Sequence, residues 1–234
     1  MHQLVEPPNN GFVVVATIYK QYLTSAILLA ESIRDYIPNA GITLYTTSDL
    51  VENVDVSVFS QVITENVPND RRAKLWALSR TPYNITVYLD ADTTVVSPEI
   101  TTIFEQLKSN DIIFTKIRPY NSNPKGYLDD PRYIHHGGVF VYRKTDKTIS
   151  FMEQWWARWS TTRSASTFKI TYPDFPGKMK EWDQFYLFYI IHETNHGLQI
   201  GFFEDDARWN FVRGYLRSEL NNKPPIIEHY TIRK

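Results

Sequence analysis

The sequence predicts an α/β protein: an open, mostly parallel central sheet flanked by helices. Three observations lead there. Through the first half, short β-branched runs alternate with stretches whose apolar residues recur at helical spacing. Breakers such as PNAG at 38–41 and Thr81-Pro82 separate the two patterns. One apolar run, 85–89, ends in a carboxylate pair, Asp90 and Asp92. Open α/β sheets bind ligands beyond the carboxyl ends of their strands.

Each element can be justified in turn. GFVVVATIY at 11–19 follows a polar, proline-rich start and reads as a buried strand. From Tyr22 the period changes, with Leu23, Ala26, Ile27, Ala30, Ile33 and Ile37 on one helical face. ITLYTT at 42–47 is a second strand, and VDVSVFSQVI at 54–63 another extended piece. Asp70 opens a helix over RRAKLWALSR, which Thr81-Pro82 closes before the strand ITVYL. Ser97-Pro98-Glu99 starts a helix with Ile100, Ile103, Phe104 and Leu107 on its apolar face. DIIFTKI at 111–117 is a strand.

The second half reads differently. A polar loop, 120–133, precedes the strand HHGGVFVYR. Ile149, Met152, Trp155 or Trp156, and Trp159 mark a helix, followed by a long loop at 160–178 that is expected to be mobile. EWDQFYLFYIIHE is a helix, and LQIGFF and IIEHY are short strands. The composition changes near residue 118. One domain over 1–234 is expected, with a ligand-binding half at about 1–118 and a second-substrate half at about 119–234.

Composition excludes several classes. With 25 basic and 26 acidic residues, net charge is -1, which suggests neither a nucleic-acid groove nor a polybasic membrane surface. Cysteine is absent, so there are no disulfides or thiolate metal sites, as fits a reducing compartment. MHQLVEPPNNG lacks the order of a signal peptide, and FYLFYII at 185–191 is too short to span a bilayer. A cytoplasmic protein is expected.

Two carboxylates one residue apart repel unless something positive lies between them. Hard oxygen ligands suit Mn²⁺ or Mg²⁺. An isolated D-x-D is more often a turn or cap, so context must decide. Other candidates also have ordinary readings. Lys74 lies in RRAK, usually a solvated face, and Arg71 or Arg72 could serve a phosphate equally well. Tyr22 could simply pack, Asp183 could cap its helix, and His229 could be a structural strand residue. His135 and His136 point to opposite faces of a strand and do not suit joint ligation.

KLWALSRTPYNITVYLDADTTV resembles the core of the GT-A fold glycosyltransferases, most closely the glycogenin and galactosyltransferase-like retaining group. Lys74, Tyr83 and Asp90-Ala91-Asp92-Thr93 stand in that group's order. VVVATIYKQYLTSAILLAESI is similar to its opening strand, Tyr-containing turn and helix. GGVFVYR resembles its glycine-led strand, WDQ its Asp-Gln pair at a helix start, and IIEHY its late apolar-His segment.

The resemblance implies a metal-dependent hexosyltransferase. It would move a sugar from a nucleotide sugar, a UDP-sugar, to a glycan, protein or small-molecule acceptor with retention. Asp90, Asp92 and His229 would hold Mn²⁺ or Mg²⁺. Asp90 and Ala91 would meet the donor, Tyr22 would stack on the base, and Ala16 and Thr17 would line the base pocket. Lys74 would meet the phosphate or sugar, and His136, Gly137 and Gly138 would face the sugar. Asp183 and Gln184 would flank the anomeric carbon. Three departures stand out: His136 where that group has Asn, Tyr19 where a polar Asn is common, and HYTIRK without the late glycine and Lys-Pro-Trp. An inactive sugar-nucleotide-binding relative is compatible with them. Nucleotidyl transfer onto a sugar phosphate needs a glycine-rich loop after the first strand, and ATIYKQYLTSA has no glycine.

Overall fold

The computed structural model describes residues 9–117, 134–163, 168–172, 180–212 and 217–230. The expected loop at 120–133 and much of that at 160–178 lie outside these residues. In chain order the elements are β1 (Asn10–Ala16), α1 (Lys20–Arg34), β2 (Ile42–Thr46), α2 (Ser48–Val51), β3 (Gln61–Ile63), α3 (Ala73–Leu78), β4 (Ile85–Leu89) and β5 (Thr93–Val95). Then follow β6 (Ile112–Lys116), β7 (His135–Arg143), α4 (Asp146–Thr162), α5 (Phe168–Thr171), α6 (Asp183–Glu193), β8 (Ile200–Phe202), α7 (Asp206–Trp209), β9 (Phe211–Val212) and β10 (Ile227–His229).

The main sheet has seven strands in the order β3-β2-β1-β4-β7-β6-β8. Its pairs are parallel except the two that β7 makes with β4 and β6. Both faces are covered, which is why the strands read as near-continuous β-branched runs. Along β1, Phe12, Val14 and Ala16 enter one core cluster with Leu23, Ala26 and Ala30 of α1. Val13 enters the other, with residues of α3, α4 and α6 that include Leu75, Trp155 and Phe185. A small sheet, β5-β10-β9, sits beside the main one. Buried Ser32 fastens it to α1: its hydroxyl donates to Leu29 O at 2.7 Å and accepts the Val95 N–H at 3.1 Å.

Several expectations changed in detail. Of the extended piece at 54–63, only Gln61–Ile63 pairs in the sheet. The segment after Ser97 forms two 3₁₀ turns, Pro98–Thr102 and Glu105–Leu107, with no α-helix between them. Its Ile-Thr-Thr-Ile run is β-branched and crowds an α-helix, yet Ile100, Ile103 and Leu107 are still buried. Helix α4 runs on to Thr162, into the expected loop, after a capping box made by Thr145 and Thr148. The strand β5 and the short α2, α5, α7 and β9 had no clear pattern. Among the described residues no helix is long and apolar enough to cross a membrane.

Gly11 lets β1 pass under the Tyr83 ring. A Cβ there would lie 2.4 Å from two ring atoms and 2.7 Å from Gly41 O. The ring is held in place by a 2.9 Å hydrogen bond between its hydroxyl and Thr43 Oγ1. We expect Gly11→Ala to destabilise the protein by about 1–3 kcal/mol in urea unfolding, through overpacking.

Candidate functional site

Because β7 is antiparallel, its first residues lie beside the carboxyl end of β4. Leu89 pairs with Val139, and the Asp90 N–H donates to Gly138 O at 2.8 Å. The double glycine makes this closeness possible. A Cβ on Gly138 would lie 2.6 Å from Asp90 Oδ2, and one on Gly137 would lie 3.0 Å from the Trp155 ring. Gln184, next to the start of α6, accepts the Gly137 N–H at 3.1 Å and donates to His135 O. Both ends of its amide are engaged by β7.

A chain of alternating charges crosses the site. Arg72 Nε lies 3.1 Å from Asp183 Oδ1, and Lys74 Nζ lies 3.2 Å from Asp183 Oδ2 and 3.1 Å from Asp90 Oδ1. Lys74 also donates to Gly137 O at 3.0 Å, and the Tyr88 hydroxyl donates to Asp90 Oδ1 at 2.7 Å. Lys74 is only 7% exposed, so the solvated-face reading of RRAK does not apply to it. Burial favours its neutral form, but Asp90 and Asp183 outweigh burial and raise its pKa. Burial likewise opposes the charge on Asp90, where Lys74, His229 and Tyr88 hold the pKa below the usual range. For Asp183, burial is overcome by Arg72 and Lys74, which bring its carboxyl down to about 2.

The small sheet delivers the other half. Pairing of β10 with β5 sets His229 opposite Thr93, next to Asp92. His229 Nε2 is 3.1 Å from Asp92 Oδ1, and its Nδ1 is 2.9 Å from Asn210 Oδ1. Burial lowers the His229 pKa, but the bond to Asp92 and the charges of Asp92 and Asp90 raise it above the usual value. Asp90, Asp92 and His229 each present one ligand atom, all within 4.8 Å of one another. Two carboxylate oxygens and an imidazole nitrogen form a donor set that a divalent cation fits.

Between these groups opens a cleft of about 260 Å³, lined by Val15, Thr17, Tyr22, Arg71, Arg72, Lys74, Tyr88, Asp90, Ala91 and Asp92. A larger cleft of about 690 Å³ shares Arg71 and Arg72 and extends past Ile18, Trp159, Arg163 and Trp182. Ile18 follows Thr17 of the first cleft and lines the second. It has φ 73 and sits in a γ-turn closed by Tyr19 N–H to Thr17 O at 2.9 Å. A β-branched residue there is strained by about 1–3 kcal/mol. The Thr17 hydroxyl, bonded to Asp70 O at 2.6 Å, helps to hold the turn.

Of the residues singled out in the sequence, Thr17, Tyr22, Lys74, Asp90, Ala91 and Asp92 line one cleft. Gly137, Gly138, Asp183 and His229 contact that group directly, and Gln184 reaches it through Gly137. Ala16 does not join them: strand alternation turns it into the core, and Val15 and Thr17 form the wall. His136 is buried, with Nδ1 taking the Gly138 N–H at 3.2 Å. Burial and the charge of His229 push its pKa down to about 3, so it is neutral at pH 7. His135 stacks on Phe202 instead, away from His229.

Two contributors escaped the sequence reading. Tyr88 was legible, because residues two apart on a strand share a face with Asp90. Asn210 carries no sequence signal.

The Asp183 carboxyl has a folded pKa of about 2 against 3.8 in the unfolded chain, so its stabilisation is present above pH 4 and is lost as pH falls toward 2. Asp183→Asn should therefore be less stable than wild type at pH 7. The gap should narrow by roughly 2 kcal/mol between pH 5 and about pH 2 in denaturant titrations.

The chain superposes on solved glycosyltransferase structures. It matches the glycosyltransferase GlyE of Streptococcus pneumoniae TIGR4 over 96% of its length, with TM-score 0.63 and 15% identity, and spans 55% of that chain. It matches the galactosyltransferase LgtC, solved with donor and acceptor sugar analogs, over 94% of its length and 86% of LgtC, with TM-score 0.55 and 16% identity. A glycosyltransferase involved in glycosylation of the major capsid of PBCV-1 matches over 95% of this chain and 92% of its own, with TM-score 0.52 and 13% identity. No family model matches the sequence, and no curated protein matches it. Likeness at this level of identity is likeness of fold, and the chain has the GT-A fold.

Proposed function

We propose that the chain is a divalent-cation-dependent glycosyltransferase that takes a nucleotide sugar, a UDP-sugar, and transfers its hexose to a hydroxyl acceptor with retention. What supports this most is the opposition of charges in one cleft. Asp90, Asp92 and His229 offer ligand atoms for a cation, and Arg71, Arg72 and Lys74 line the same cleft as Asp90 and Asp92. A diphosphate bridging a cation and a basic wall satisfies both. The fold it shares with GlyE and LgtC points the same way.

Bound at Asp90, Asp92 and His229, Mn²⁺ or Mg²⁺ would supply Lewis-acid stabilisation of the leaving diphosphate. The protein's own groups do the rest. Tyr22, Val15 and Thr17 form the wall for the base. Lys74 and Arg72 offer preorganised positive charge to the phosphates, an effect worth roughly 3–4 kcal/mol per strong donor in comparable oxyanion sites. Asp183 has both oxygens engaged by cations. With a pKa of about 2 it is a weak base and a weak nucleophile, so it orients Lys74 and accepts sugar hydroxyls. Gln184, tethered to β7, flanks the reacting face, and Gly137, Gly138 and His136 border the sugar. The C1–phosphate bond breaks, the acceptor oxygen bonds to C1, and the acceptor proton passes to a phosphate oxygen. The half at about 1–118 binds the donor. The half at about 119–234 binds the acceptor across the larger cleft, where the half-buried Trp182 presents a ring for a sugar face.

The test is a panel of nucleotide sugars, with and without Mn²⁺, scored for release of nucleoside diphosphate. A UDP-sugar should turn over only with the cation, and Asp92→Asn should lose about 100-fold or more of that turnover at unchanged melting temperature. Turnover that persists in chelator, or in the variant at wild-type rate, overturns the proposal. Tight donor binding with no transfer to any acceptor or to water supports a binding-only protein instead.

A further inference from the structure

Asn210 follows α7 and is completely buried. Its side-chain amide touches residues of three strands: Thr115 Oγ1 in β6 at 3.1 Å, His136 Nδ1 in β7 at 3.0 Å, and His229 Nδ1 in β10 at 2.9 Å. Its neighbours dictate which end of the amide is which. The Thr115 hydroxyl donates to Val139 O at 3.2 Å, which leaves its oxygen as an acceptor. His136 Nδ1 receives the Gly138 N–H at 3.2 Å, so it also presents a lone pair. Both acceptors face the NH₂ of Asn210, and the amide oxygen is turned to His229. An oxygen there calls for Nδ1–H on His229. The imidazole lone pair then lies on Nε2, which is 3.1 Å from Asp92 Oδ1. A lone pair facing a carboxylate at that distance is repulsive unless a proton or a cation lies between them.

We propose that Asn210 is a positioning residue that holds His229 as the Nδ1–H tautomer and aims its bare Nε2 at the cation position shared with Asp90 and Asp92. The inference rests on the cation site proposed above. It adds a residue that contacts neither cation nor substrate and acts only through His229. Partners of this kind fix the ring orientation of a ligating histidine, and losing one costs about 10–100-fold in metal affinity.

Two measurements test it without turnover. The first is Mn²⁺ binding in the presence of UDP, followed by electron paramagnetic resonance. Wild type should bind. Asn210→Leu keeps the bulk but offers no acceptor, and should bind about 10–100-fold more weakly. Asn210→Asp still accepts from Nδ1–H and should bind more tightly than Asn210→Leu. The second is ¹⁵N NMR of the wild type loaded with diamagnetic Mg²⁺ and UDP, which should find His229 protonated at Nδ1 and without a proton at Nε2. An Nε2–H tautomer, or an Asn210→Leu protein that binds Mn²⁺ as wild type does, overturns the role of Asn210 and leaves the cation site standing. Wild type that fails to bind Mn²⁺ overturns the cation site itself. If Asn210→Leu does not fold, the wild-type tautomer decides.

Discussion

The ammonium group of Lys74 touches three elements at once: Asp90 at the end of β4, Gly137 O in β7, and Asp183 at the start of α6. It is the point through which the site is assembled. A buried lysine is costly unless its charge is matched and its donors are used. Here two carboxylates and a carbonyl do so, and Arg72 pairs with the other oxygen of Asp183. The sequence of signs, Arg72 to Asp183 to Lys74 to Asp90, leaves each buried carboxylate beside a cation. Taking out one member would leave a partner charged, buried and poorly compensated, which is why such networks hold one geometry.

The second constraint is the reversed strand. A sheet with every strand parallel would offer only carboxyl ends to the ligand. With β7 antiparallel, an amino-terminal strand end enters the same edge and brings His136, Gly137 and Gly138 against Asp90. The two glycines leave room for the Asp90 carboxylate and the Trp155 ring, so their absent side chains shape the site from within. His136, held neutral by burial, works there as an uncharged polar group, much as an amide would. The strained Ile18 turn joins β1 to α1, with Val15 and Thr17 before it and Tyr22 after it lining the cleft.

The result is a polarised, preorganised cleft. Its acidic groups are completed by a histidine from β10, and its basic groups come from the first turn of α3 and the residues before it. Under the proposed function, a diphosphate would meet both without a large displacement of these groups. Electrostatic catalysis depends on that condition, because dipoles and charges already in place cost nothing to reorganise during the reaction.

Short-range physics made much of this legible in the sequence. Short β-branched runs and period-3.6 patterns located β1, α1, β2, β4, β6, β7, α4 and α6, and strand-end logic put Asp90 and Asp92 at the ligand edge. Order along the chain could suggest Lys74, Asp183 and His229 only through resemblance, because each looks ordinary in its own window. The tertiary structure decided the rest. It buried Lys74 where a basic helix turn usually meets water, turned Ala16 into the core, reversed β7, and joined Asn210 to His136 and His229 across 74 and 19 residues of chain. Local propensity depends on neighbours a few positions apart. The direction of a strand, the partner of a buried charge and the tautomer of a histidine depend on atoms that only the folded chain brings within 3 Å.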